Sequence, residues 1–183
     1  TNQQTMTARN TMLTVFSRQT DKQYYMNQQR TQSAREYDTN VLKPFQDVLN
    51  DPAPKKLIIV HLLGTHIKYK YRYPENQGKF DGNTDHVPPG LSAEELESYN
   101  DYDNANLYND HVVASLIKDF KAADPNGFLV YFSDHGEEVY DTPPHKTQGR
   151  NEDNPTRHMY TIPFLLWTSE KWQATHPRDF SQD

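Results

Sequence analysis

Asp134 and His135 adjoin one another in the run Ser133-Asp134-His135-Gly136-Glu137, directly after the apolar stretch Phe128–Phe132. A carboxylate beside an imidazole is half of a ligand set for a divalent cation, zinc or manganese by donor type. Neighbouring side chains on a strand point to opposite faces. The two therefore converge on one ion only where the strand has ended and the chain turns, and Gly136 permits that turn. The alternative is an Asp–His pair that caps the next helix.

A second pair of imidazoles lies in His61-Leu62-Leu63-Gly64-Thr65-His66. His66 falls just past an apolar run, on what would be the carboxyl edge of a strand, where open α/β sheets bind their ligands. His61 lies within the run, where a histidine is either a hydrogen-bonded core residue or a functional one. The polar stretch Asp141–His158 carries His145, Lys146, Arg150, Arg157 and His158. A connection this long with little apolar content is a functional loop or a solvated, mobile one, and its cations suit an anionic phosphate or headgroup. Tyr69, Tyr71, Arg72, Tyr73 and Pro74 either rim a ligand or pack on a sheet edge. Asp101, Asp103 and Asp110 lack the Gly and terminal Glu of a calcium loop and read as a polar helix face.

The elements that must position these residues follow from periodicity. Val41, Leu42, Phe45, Val48 and Leu49 form a helical stripe within Tyr37–Asn50, with Pro44 in the first turn. Lys56–Leu63 is an apolar run broken only by His61 and reads as a buried parallel strand. Ser92-Ala93-Glu94-Glu95 is a capping box opening a helix to about Ala123, with Leu107, Val112, Val113, Leu116, Ile117 and Phe120 inward. Phe128–Phe132 and Thr161–Trp167 read as two more strands of the same sheet, with His66 and Asp134 at one edge. Strands alternate with helices, so the class is α/β with a mostly parallel sheet flanked by helices.

Composition narrows the function. The 183 residues include 12 Tyr and 8 Phe, enough aromatic surface to build a core. Mean hydropathy is −1.01. A net charge of −6 argues against nucleic acid as a partner. The apolar runs Leu57–Val60 and Ile162–Trp167 are too short to span a bilayer, and zero Cys excludes disulfides. Thr1–Arg35 is polar apart from Met12–Phe16. A start without Met and an end at Asp183 without a closing element predict a piece of a longer protein.

Taken together, the motifs resemble the phosphoethanolamine transferases of the alkaline phosphatase/sulfatase superfamily. Val60-His61-Leu62-Leu63-Gly64-Thr65-His66 with Arg72-Tyr73-Pro74 resembles their His-x-x-Gly-x-His…Arg-Tyr-Pro signature. Tyr102-Asp103-Asn104 resembles their central helix. Ser133–Glu137 resembles their metal loop, and Pro155-Thr156-Arg157 through Ile162-Pro163-Phe164 the approach to a late strand. The resemblance implies an alkaline phosphatase/sulfatase-like fold, present here as part of a periplasmic catalytic domain. It further implies an inner-membrane anchor of N-terminal helices lying outside this chain. The implied reaction moves phosphoethanolamine from phosphatidylethanolamine to the lipopolysaccharide core. A zinc-bound Thr nucleophile and an acidic ligand, both upstream of Thr1, would carry it. Asp134 and His135 match the other two metal ligands. His66 matches a histidine that meets the phosphate or a second metal, and His61 a second family histidine. Relatives often have Gly-His-Asn or His-Gly before the last strand, whereas this chain has Gly149-Arg150-Asn151. Either His145 takes that role or Arg150 replaces it by binding phosphate. The rival readings are a sulfatase-like hydrolase, a phosphoglycerol transferase, and a binding domain that keeps the fold without the chemistry.

Overall fold

The computed structural model describes residues 15, 17–29, 31–82, 85, 87–144 and 146–177. Most of the Met12–Phe16 stretch, and His145, lie outside the described residues.

A long central helix, α2 (Ala93–Ala122), organises the molecule. Its start is the capping box read from the sequence: Glu95 N–H donates to Ser92 Oγ and Ser92 N–H to Glu95 Oε2. Ala105, Tyr108, Val112 and Leu116 recur at three- and four-residue spacing and are buried along one stripe. Against this stripe pack α1 (Leu42–Leu49), through Phe45, and a 3-10 turn at Tyr69–Tyr71, through Tyr69. A 3-10 turn at Asp38–Val41 precedes α1, so Pro44 sits in the first helical turn as expected. The region around Asp101–Asp110 is more than a polar face. Buried Asn104 accepts from Lys79 N–H and Phe80 N–H and donates to Phe80 O, while Asp101 accepts from Tyr73 Oη. These bonds staple the Tyr73–Phe80 segment to the helix.

The strands differ from the expected parallel sheet. β1 (Phe128–Phe132) pairs antiparallel with β4 (Phe164–Thr168), Phe128 opposite Thr168 and Phe132 opposite Phe164. β2 (Glu138–Val139) and β3 (Gln148–Gly149) form a second antiparallel pair. Parallel pairing therefore does not occur between the strands of the described residues. Lys56–Leu63 is extended but joins neither sheet; His61 alone forms an isolated β-bridge. Its alternate residues Ile58, Val60 and Leu62 pack on the core, whereas Leu57 is 88% exposed and Ile59 is also exposed. One face of the run is thus buried, not two. An apolar run specifies extended backbone, but a strand's pairing partner is non-local. The same holds for the β1–β4 sheet. Trp167 stacks edge-on with Phe120 at 5.5 Å and Tyr131 Oη accepts from Asn109, which seats the inner face on α2. Phe128, Val130, Phe132, Phe164 and Leu166 leave an exposed apolar outer face.

A short helix, α3 (Glu170–Thr175), follows β4, with Ser169 as its N-cap. No helix of the described residues is long and apolar enough to cross a membrane.

Candidate metal and phosphate site

β1 ends at Phe132, and the chain turns at once. Ser133 Oγ donates to the backbone O of His135 at 2.6 Å, tying the turn locally. Asp134 projects outward, its side chain 88% exposed, and its Oδ1 lies 3.9 Å from His135 Nε2. The other imidazole nitrogen, Nδ1, is 2.7 Å from Gly136 O. A carbonyl only accepts, so Nδ1 carries a proton, and Nε2 lies on the side of the Asp134 carboxylate. A backbone acceptor that holds one ring nitrogen and leaves the other outward is the arrangement found behind histidines that bind metal.

Gly136 serves this turn differently from the sequence reading. Its φ is not left-handed. What demands glycine is close approach: a Cβ would stand 2.0 Å from His158 O and 2.6 Å from Thr161 O. Gly136 N–H donates to Met159 O at 2.9 Å, which locks the turn onto the 3-10 segment Arg157–Met159.

The next two residues anchor it further. Glu137 Oε2 accepts from Tyr69 Oη at 2.6 Å. Burial pushes the Tyr69 phenol well above its ordinary value, and the bond to Glu137 reinforces the shift. Glu138 is 0% exposed. Its carboxylate accepts from Thr142 N–H at 2.7 Å, from Thr142 Oγ1 at 2.9 Å and from Thr156 Oγ1. Burial acts to raise the Glu138 carboxyl, but the bonds from Thr156 and Thr142, with the nearby His158, hold it below the usual glutamate range. The polar loop after Val139, expected to be mobile, is thus pinned at both ends to one buried carboxylate.

The histidine turn approaches the same region. Tyr69, three residues after His66, makes the bond to Glu137, and Ile67 Cδ1 lies 3.5 Å from a Cβ built on Gly149. His61 is half-buried; burial lowers its imidazole below the ordinary value, opposed by the charge of Asp134. His66 is exposed, and no hydrogen bond or ion pair joins it to Asp134 or His135 among the described residues. Arg150 Nη2 pairs with Glu152 Oε1 at 2.5 Å on the surface, and among the described residues no hydrogen bond or ion pair joins Arg150 to Asp134 or His135. Among the described residues, no three His, Cys, Asp or Glu side chains converge to hold a metal. Asp134 and His135 fit two positions of a ligand set by donor type and by the anchored Nδ1, and the described residues offer no third beside them.

Sequence reasoning passed over three residues that shape the site: Asp38, Tyr69 as a partner of Glu137, and Glu138. The only local signal was Asp38 before the α1 stripe, a residue type that favours helix starts.

The sulfatase family model matches residues 1–183. The chain is 98% identical to phosphoethanolamine transferase EptC of Escherichia coli (strain K12), covering 100% of this chain and 32% of that protein. It is 90% identical to phosphoethanolamine transferase CptA of Salmonella typhimurium (strain LT2), with the same coverage of 100% and 32%. It therefore spans about a third of the length of these curated relatives. Among solved structures it is similar to the C-terminal periplasmic domain of EptC from Escherichia coli in complex with Zn. That match has a TM-score of 0.94 and 98% identity, and covers 99% of this chain and 51% of that one. The mixed helix–strand fold, the turn after β1 and a family match along the entire chain lead to one conclusion: this chain is part of a domain of the sulfatase family.

Proposed function

We propose that this chain is part of the periplasmic catalytic domain of a membrane-anchored phosphoethanolamine transferase. In this reading the donor is phosphatidylethanolamine, the acceptor is the lipopolysaccharide core, and the nucleophile is a Thr on sequence outside the chain. The observation that carries it is the Asp134–His135 turn: Nδ1 of His135 is fixed by Gly136 O, and Nε2 and the Asp134 carboxylate share one side. The near-identity to EptC and CptA supports the choice of transfer.

Asp134 and His135 would hold zinc, which when bound lowers the pKa of a nucleophile and neutralises phosphate charge. The chain's own residues do the positioning. Gly136 and Glu137 keep the backbone of the turn against Met159 and Tyr69. His66, exposed on the turn three residues before Tyr69, meets the phosphate oxygen or a second ion, and His61 lines the approach to Asp134. His145 or Arg150 serves the anionic headgroup. Phosphoryl transfer asks little covalent work of a protein beyond positioning and charge neutralisation.

Mass spectrometry of lipopolysaccharide from cells complemented with the intact gene tests this reading. Phosphoethanolamine on the core should disappear with Asp134→Asn and with His135→Ala. Unchanged decoration in the Asp134→Asn strain would refute it. Release of free phosphoethanolamine without transfer would favour a hydrolase, and no turnover by the intact wild type would favour a binding domain.

A further inference from the structure

Two charged side chains buried away from the metal loop converge on the turn that carries His66. Asp38 is buried in the 3-10 turn before α1. Its Oδ1 accepts from Leu63 N–H at 3.1 Å and its Oδ2 from Gly64 N–H at 2.7 Å. Arg72, equally buried, approaches from the other side. Its Nε donates to His66 O at 3.0 Å and its Nη2 to Ile67 O at 3.1 Å. Arg72 Nη2 also reaches Gln32 O at 2.7 Å and Gln32 Oε1 at 3.0 Å. The turn closes on itself through His66 N–H to Leu63 O at 3.1 Å, with Gly64 at φ +55°. An anion thus collects the N–H groups at the start of the turn and a cation the C=O groups at its end. The two charges are joined through the peptide groups of Leu63–Ile67, without a direct ion pair between them.

Burying a carboxylate and a guanidinium is costly unless their bonding capacity is filled. Here it is filled largely by one short stretch of backbone. What that stretch presents is the His66 ring, exposed and without a protein hydrogen bond among the described residues. A ring with no side-chain support of its own owes to its backbone the place and direction of its Cα–Cβ bond, and with them the set of rotamers open to it.

We propose that Asp38 and Arg72 are positioning residues that fix the Leu63–His66 turn and so aim the His66 ring at the substrate phosphate. The proposal rests on the transferase reading above. Neither residue touches the substrate; both act through His66.

The test is a double-mutant cycle in the intact, zinc-loaded transferase, read as kcat/KM for a phosphatidylethanolamine donor. Asp38→Asn, close in shape, should lower kcat/KM by about ten- to hundredfold, and by no more than about twofold once His66→Ala is present. An equal fall in both backgrounds would overturn the proposal. If Asp38→Asn does not fold, Arg72→Lys, which keeps the charge and loses the fork, takes its place in the same cycle. The His66 ring is also followed by NMR in the intact protein, assigned by its loss in His66→Ala. A single sharp signal that broadens or moves in Asp38→Asn supports positioning, and an unmoved signal overturns it. An inactive wild-type transferase would defeat the functional reading alone, and the NMR result would still decide whether Asp38 sets the ring.

Discussion

Replacing Glu138 by Ala removes the only buried carboxylate on β2 and frees three donors at once: Thr142 N–H, Thr142 Oγ1 and Thr156 Oγ1. A hydrogen bond to a charged group contributes about 1.5–3 kcal/mol net. Simple addition would overstate the loss, because Thr142 is exposed and Thr156 half-buried, and both regain water when the carboxylate goes. The cost should be about 3 kcal/mol. Glu138→Gln keeps the volume and some of the acceptor capacity and should cost about 1 kcal/mol. The pH dependence separates charge from shape. The folded carboxyl is held below its ordinary value, so its stabilisation is fully present at neutral pH. That stabilisation is lost as pH falls from about 4.3, the ordinary glutamate value, toward the depressed folded one. Urea unfolding of the intact domain, wild type and both variants, at neutral pH and through the acid range, measures this. Glu138→Gln should flatten the acid limb. Hydrogen exchange should show lost protection from Val139 to Met159 in Glu138→Ala. A Glu138→Ala domain as stable as wild type, with that segment still protected, would refute the claim that one buried carboxylate anchors the loop.

Gly136→Ala forces a Cβ to within 2.0 Å of His158 O, a backbone atom that cannot step aside. It should cost about 3 kcal/mol by overpacking and detach the Asp134–His135 turn, visible as a lowered Tm together with lost zinc. The 183-residue chain by itself, shown folded by circular dichroism, should hold zinc more weakly than about micromolar, about −8 kcal/mol, by isothermal titration; tighter stoichiometric binding would show a complete site within it. The apolar outer face of the β1–β4 sheet should make the same chain bind a hydrophobic dye, whereas the intact domain should not, and equal binding by both would argue against a covered face.

Local signals carried most of what the sequence disclosed. The capping box at Ser92, the Pro44 position and the inward Val112, Val113 and Leu116 rest on contacts within a few residues, and the structure reproduces them, whereas Leu107 and Ile117, read as inward, are only half-buried and Ala105 and Tyr108 complete the stripe instead. β1 and β4 were legible as extended apolar runs, but their antiparallel pairing was not, because a run of Phe, Leu and Val carries no direction. Lys56–Leu63 misled for a related reason. Its continuous apolarity suggested two buried faces, while Leu57 and Ile59 are exposed in this chain. At the site, the turn that brings Asp134 and His135 together was legible because it follows directly on the end of an apolar strand. Asp38 was not, since its partners Leu63 and Gly64 lie 25 and 26 residues away in sequence. Nor was the role of Gly136, which depends on a segment that returns from beyond the polar loop.

Whether Asp134 and His135 hold the metal of a transferase is decided most directly by zinc affinity of the intact protein, measured by competition with a chelator. Wild type should bind zinc stoichiometrically. Asp134→Asn and His135→Ala should each weaken binding by at least about 10–100-fold, the loss already expected for the partners behind a ligand. Zinc held by Asp134→Asn with the affinity of wild type would contradict the assignment.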